Sequence, residues 1–370
     1  MRESAGPVPL DEYPIHQTPL SLARVASSDR NFYDRSYFNA HDRTGGTFLV
    51  TGMGVYPNLG VTDAYACVRR GDTQRAVRFS TELGDRGLDQ RVGGYGVEVI
   101  EPLRRLRIIC EHEDLGFDLT WTGTSPAVME QPHLILAQHR PIIDASRFAQ
   151  LGSWEGTLSV EGVDIAVDPE VWMGSRDRSW GIRPVGEAEP AGRAAAQGAG
   201  GFWWLYVPLR FDEFSIIVIV QENPDGFRTL NDATRIWADG RVEQLGWPRV
   251  HIEYRSGTRI PIAARLELTA PDGKPVEVEV SPQTFVPLHI GCGYGGDPDW
   301  QHGTWKGTDW SSSVGYDLTD PAVAGRIPWG VIDHVAQARC GDAEGWGLFE
   351  HASLGRHDPT GFADWTSVAP

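Results

Sequence analysis

Along this chain apolar residues alternate with polar ones over short stretches, and a spacing of three or four is scarce. In 104–112, Leu106 and Ile108 fall on one face, with Arg105 and Arg107 on the other. In 116–123 one face carries Phe117, Leu119 and Trp121; in 154–162 it carries Trp154, Leu158 and Val160. A period of two with one apolar face is the pattern of antiparallel sheet. The segments 47–56, 63–70, 76–83 and 95–101 are β-branched or aromatic and bounded by Gly, Asp or Pro, as strands are. The second half repeats the style. Segments 202–211 and 214–222 are strongly apolar, 264–281 holds two alternating runs around an Asp-Gly turn, and "GVIDHVAQARCG" and "GWGLFEHASLG" read as closing strands. Only "DASRFAQL" (144–151) suggests a short helix.

Between the halves lies "PVGEAEPAGRAAAQGAGG", whose Ala, Gly and Pro content is that of a linker. The pattern therefore predicts an all-β chain. It has an extended arm over 1–28, a barrel- or sandwich-like half over 29–184, a linker over 185–200, and a second such half over 201–370.

Composition narrows the function. An apolar fraction of 41% with 22% charged residues describes a folded chain. Fourteen tryptophans suggest aromatic-walled pockets or sheet cores. A net charge of −17 argues against nucleic acid and anionic membranes as partners. Lys274 and Lys306 are the only lysines, and neither stands in a context suited to Schiff-base chemistry. Cys67, Cys110, Cys292 and Cys340 are too scattered for a disulfide framework or a zinc site. The first residues show no apolar signal region, and no apolar run is long enough to cross a membrane. The expectation is a cytoplasmic protein without a transmembrane segment; assembly into a homo-oligomer is left open.

Familiar catalytic signatures are absent. "GCGYGG" (291–296) matches a dinucleotide fingerprint, but it runs into loop-like sequence instead of opening a helix. His133 and His139 flank "LILAQ" on one strand face; this spacing reads as hydrogen-bonded structure, with a metal site as the alternative. No cofactor is expected.

The densest chemistry lies in "GSRDRSWGIRP" (174–184). On a strand, Arg176, Arg178 and Trp180 share one face, and Ser175, Asp177 and Ser179 share the other. One charged face must point inward. Two readings follow. Either the segment is a salt-bridged seal, with Asp177 and Arg183 as buried ion-pair partners, or it lines a site. Aromatic company exists for the second. "FWWLYV" supplies Trp203, Trp204 and Tyr206, "LGSWEG" supplies Trp154, and "DWQHGTWKGTDW" supplies His302 and Trp305. Asp333 in "VIDHV" and Glu350 in "LFEHA" are further acids.

The motif G-x-R-D-R-S-W-G-x-R, followed by a linker and an aromatic strand, resembles the carotenoid 1,2-hydratase (hydroxyneurosporene synthase) and kievitone hydratase superfamily. It is most similar to uncharacterised bacterial relatives with an RDRSWG motif. "SYFNAHDRTGGTFLVTGMGVYPNLG", "GSWEGTLSVEG" and "DHVAQARCGDAEGWGLFEHA" extend the resemblance from about residue 30 to 360. It implies two consecutive lipocalin-like antiparallel β-barrel halves, and cofactor-free addition of water to an isoprenoid alkene. By position, the acid of the family's H-D-H-N-W-G motif is Asp177 and its aromatic is Trp180. Arg176 and Arg178 replace the flanking histidines and Ser179 the asparagine, which removes any proton shuttling by those positions.

The expected activity is that of a hydratase, dehydratase or isomerase acting on an alkene of an apolar substrate such as a terpenoid or steroid. Asp177 is ranked first as acid, with Asp333 and Glu350 in reserve; Trp180 and Tyr206 would stabilise a cation. Arg176, Arg178, Trp154, Trp203, Trp204, His302 and Trp305 are candidate substrate contacts, the two arginines for an anionic group. The alternatives are a lipocalin-like carrier that does no chemistry, and a structural protein whose own side chains fill the pocket.

Overall fold

The structure is a computed structural model that describes residues 6–15, 22, 24–137, 139–185 and 200–370. These residues form two antiparallel sheets. The first runs in the order Trp310–Asp317, Thr73–Glu82, Val61–Arg70, Thr47–Tyr56, Phe32–His41, Met173–Ile182, Arg140–Val160, Leu115–Gly123, Arg105–Cys110, Tyr95–Glu101, Arg91–Val92. The second runs Val242–Gln244, Arg228–Trp237, Phe214–Glu222, Gly201–Phe211, Ala343–Gly355, Ile332–Cys340, Pro275–Pro287, Pro261–Thr269, Arg249–Tyr254. Each sheet curls into a half-barrel, the two-half lipocalin-like architecture expected from alternation and resemblance. The first sheet takes one edge strand, Trp310–Asp317, from late in the chain. No helix among the described residues is long and apolar enough to cross a membrane.

Most predicted strands recur with small shifts at their ends, but the one expected over 154–162 is only the last part of the longer strand Arg140–Val160, and the second run of 264–281 extends to Pro287. The helix expected over 144–151 does not form; those residues lie inside the long strand Arg140–Val160. Met173–Ile182 pairs with all of it on one side, and His133–Ala137 and Val128–Met129 with parts of it on the other, so pairing overrides a weak local helical pattern. Most of the expected linker, 186–199, lies outside the described residues.

Buried apolar residues pack in layers. One layer fills the first half, around Phe38, Leu106, Trp121 and Trp154. Another fills the second half, around Trp203, Leu205, Leu266 and Phe349. A third lies between the sheets and draws on both, with Tyr37, Tyr65, Trp204, Tyr206 and Leu348. Alternation sends the two faces of a central strand such as Phe32–His41 to different layers, Phe38 to the first and Tyr37 to the third, whereas Arg105–Cys110 buries one face only.

"GSRDRSWGIRP" forms the strand Met173–Ile182, wedged between Phe32–His41 and Arg140–Val160. Its flanking glycines are steric requirements. A Cβ on Gly174 would stand 1.9 Å from the Asn39 carbonyl oxygen. Gly181 has φ +130°, and a Cβ there would stand 2.1 Å from the Asp144 carbonyl oxygen.

Candidate active site

Alternation splits the motif strand as expected. Arg176 and Arg178 turn into the first half, away from the second sheet. Arg176 forks onto Glu12, donating to Oε1 at 2.6 Å and Oε2 at 2.9 Å, and its Nε donates to Gln150 at 2.9 Å. Arg178 donates to Asp34 Oδ1 at 2.9 Å and to the Glu12 carbonyl oxygen at 2.8 Å. Burial works against a charged Glu12, but the two guanidiniums outweigh it and hold its carboxyl below the usual range. A salt-bridged network therefore exists, but not with the expected partners: its acids are Glu12 and Asp34, and Asp177 and Arg183 form no ion pair among the described residues.

The other face, Ser175, Asp177 and Ser179, turns toward the second sheet. Ser175 is fixed by Asn39, whose amide donates to its hydroxyl at 2.7 Å. Asp177 and Ser179 line a cavity of about 280 Å³ between the sheets. Register explains which side chains join them. Tyr37 is the Cα partner of Asp177, and Arg35 and Arg147 are those of Ser179, so all of these point the same way. The second sheet contributes Phe202, Trp204, Gln221 and Glu350, and the loop after its Pro275–Pro287 strand contributes Tyr294.

Of the three expected acids, Asp177 and Glu350 line this space, and Asp333 lies buried beside Glu350. Asp177 makes no hydrogen bond or ion pair with a described residue, so its oxygens are open to the cavity. Burial pushes it up to about 6; Arg147, Arg35 and Arg183 pull it down, and the Glu350 charge adds to the rise. Glu350 accepts a hydrogen bond from Trp204 Nε1. Asp333 is Glu350's Cα partner, fully buried, and accepts a hydrogen bond from the Tyr37 hydroxyl. Burial and the Glu350 charge push Asp333 well above the usual carboxylate range. A fourth acid, Glu130, accepts from Arg147 Nε at 2.8 Å, yet burial pushes it up to about 8. Arg147 spans the aromatic floor, 5.2 Å from the Trp204 ring centre and 5.4 Å from that of Tyr206.

The structure thus brings Asp177, Asp333, Glu350, Trp204 and Tyr206 together. Tyr206 is buried beside the cavity, its hydroxyl without a hydrogen-bond partner. The other candidates lie elsewhere. Arg176 and Arg178 are committed to Glu12 and Asp34 and do not line the cavity. Trp180 shares their face and packs 6.4 Å from Phe148. Trp154 sits in the first half's core, donating to the Asn39 carbonyl oxygen at 2.8 Å. Trp203 faces the second half's core, stacked on His357 at 5.3 Å. His302 lies behind the cavity wall, 5.0 Å from the Tyr294 ring. Trp305 is 52% exposed.

Sequence reasoning missed Tyr33, Arg35 and Tyr37, Arg147, Glu130 and Tyr294. For the first three a signal existed: "FYDRSYF" alternates, placing Tyr33, Arg35 and Tyr37 on one face. Arg147 was hidden by the helical reading, and Tyr294 by the loop sequence of "GCGYGG". His133 stacks 6.2 Å from Trp204 at the cavity, while His139 is an exposed turn residue with φ +66°. Among the described residues, no group of three or more His, Cys, Asp or Glu side chains could hold a metal ion.

Comparison with known proteins bears on the fold. The kievitone hydratase structure from Nectria haematococca superposes with a TM-score of 0.50 at 18% identity, over 86% of this chain and 88% of that one. A putative AttH from Nitrosomonas europaea gives 0.53 at 12% identity, over 87% and 92%. CghA gives 0.52 at 13%, over 89% and 90%. At such identities the likeness is one of fold. No curated protein sequence matches this chain. A family profile described as "Family of unknown function (DUF8625)" matches residues 8–363.

Proposed function

Because the chain belongs to this family of unknown function, DUF8625, we propose its activity from the cavity: cofactor-free acid–base chemistry on an alkene of a compact apolar substrate, as a hydratase, dehydratase or isomerase. The observation that carries the reading is Asp177. Its carboxyl is open to an aromatic-walled cavity, unpaired, and raised to about 6, the poise of a general acid near neutral pH. The fold shared with a kievitone hydratase adds support by analogy alone.

The reaction divides between the sheets. Asp177 gives its proton to one alkene carbon, and the cation forms on the other. The faces of Trp204, Phe202 and Tyr294 stabilise that charge. Water adds to the cation as Glu350 takes its proton, which yields the alcohol; the reverse order dehydrates it. If Glu350 instead takes a proton from a neighbouring carbon, the product is an isomeric alkene. A protonated Asp333 supports Glu350 as a donor at its back, and Tyr37 and Trp204 fix the two carboxyls in place. The cavity volume of about 280 Å³ lies at the low end for small-molecule sites, which favours a compact skeleton over a long polyene.

The test is solvent extraction of the purified protein, identification of any co-purified molecule by mass spectrometry, and its incubation in heavy water with wild type and Asp177→Asn. The expected result is gain or loss of one water, or deuterium in an isomer, with wild type only; Asp177→Asn binds without converting. A bound molecule that wild type leaves unchanged and undeuterated would make the protein a carrier and sink the enzyme reading.

A further inference from the structure

We propose that the Arg35 side of this cavity is an anion subsite, in which Arg35, with Arg183 beside it, receives a carboxylate borne by the otherwise apolar substrate. The inference rests on the cavity being the substrate site.

Five arginines among the described residues are buried: Arg35, Arg78, Arg176, Arg178 and Arg259. Four have oxygen partners. Arg176 and Arg178 pair with Glu12 and Asp34, and Arg78 donates to Asp299 at 2.9 Å. Arg259 is satisfied by the backbone carbonyls of Ser353, Gly355, Asp364 and Ser367. Arg35 is the exception. It is 6% exposed, its guanidinium makes no hydrogen bond or ion pair with a described residue, and Nη1 is sealed without a partner. A buried, unpaired guanidinium is costly and calls for an explanation in a ligand.

Its surroundings fit one. Arg35 lines the cavity with its guanidinium carbon 4.7 Å from the Tyr294 ring centre. A ring face takes up charge but offers the N–H donors no oxygen. Asp63, an acid whose charge reaches Arg35, is occupied by the Gly303 N–H at 2.7 Å and the Tyr56 hydroxyl at 3.1 Å. Arg183 lines the same cavity 4.9 Å from the Tyr33 ring centre, and its guanidinium likewise makes no ion pair among the described residues.

The class of anion follows from the rest of the wall. Asp177 and Glu350 share the cavity, so a dianion such as a phosphate monoester meets repulsion that a monoanion largely avoids. A carboxylate matches the planar fork of a guanidinium. The aromatic wall of Tyr33, Phe202, Trp204 and Tyr294 asks for an apolar body. A carboxylate seated here also neutralises arginines that otherwise hold Asp177 down, so binding of the head group would arm the acid.

Calorimetric titration of the full chain with benzoate, cinnamate and 2-naphthoate, each against its neutral amide, tests the subsite. Wild type should bind at least one carboxylate ten times or more tighter than its amide. Arg35→Met should abolish that preference and leave amide binding unchanged; Arg35→Lys should retain part of it, and Arg183→Met should reduce it. Equal binding of acid and amide by wild type, no binding of any carboxylate, or a preference that survives in Arg35→Met overturns the subsite. Should Arg35→Met fail to fold, the wild-type comparison and Arg183→Met decide alone. The outcome is separable from the proposed chemistry. A carboxylate preference with turnover untouched by Asp177→Asn defeats only the acid assignment, and turnover of a neutral alkene without carboxylate preference defeats only the subsite.

Discussion

Replacing Asp177 by Asn should abolish turnover and at the same time stabilise the protein, with a pH dependence that the site dictates. The asparagine keeps the shape and removes the charge. The folded-state value of Asp177 is raised from 3.8 to about 6. At about 1.4 kcal/mol per pH unit, the rise means that the charged form is disfavoured in the fold by about 3 kcal/mol. A raised value favours the fold fully below about pH 4, and that contribution is lost as pH rises through about 6. The substituted amide cannot ionise, so the variant keeps what wild type loses. The stability gap between variant and wild type should be under about 1 kcal/mol at pH 4 and grow to about 3 kcal/mol above pH 7. Urea unfolding from pH 4 to 8, with equal slopes for both proteins, measures it. A variant less stable than wild type above pH 7, or a gap that does not change with pH, refutes the placement of Asp177 as an unpaired acid in a poorly solvated cavity.

Three further outcomes follow from the same geometry. Wild-type turnover should fall as pH rises through about 6, since Asp177 must carry its proton; a pH–rate profile flat from 5 to 8 would contradict its role. Glu12→Ala strands Arg176 and removes an ion pair that is 2% exposed on both sides, so it should cost about 3–5 kcal/mol in urea unfolding, and a loss below about 1 kcal/mol would show the pair to be dispensable. Tyr37→Phe deprives the buried Asp333 of its donor and should cost about 1–3 kcal/mol, read by the same denaturation, while retained full activity would place the Tyr37–Asp333–Glu350 chain outside the chemistry.

Part of the site was legible in the motif itself: Asp177, Ser179 and Arg183 line the cavity, while Arg176, Arg178 and Trp180 do not. Alternation alone divided Arg176, Arg178 and Trp180 from Asp177, and it required that buried arginines find acids. It could not say which acids. Glu12 lies 164 residues from Arg176 and belongs to a short segment with no strand pattern of its own, so no local spacing points to it. Asp333 and Glu350 were singled out as acids from separate strands, and their pairing follows from the register of Ile332–Cys340 against Ala343–Gly355. Trp203 and Trp204 show the limit of composition. Both looked like pocket residues, but neighbours on a strand face opposite ways, so Trp204 reaches the cavity and Trp203 the second half's core.

By itself the sequence determined what is local and periodic: an all-β chain, the position of many of its strands, and the two faces of the Met173–Ile182 strand. These depend on residues two apart, and a period of two survives any tertiary arrangement. Only the tertiary structure decided where the faces point. The cavity lies between the two sheets, and strands far apart in the chain meet there. Which carboxyl is paired, which is raised and which arginine is left without an acid depend on distances across that gap, where burial and neighbouring charge act together.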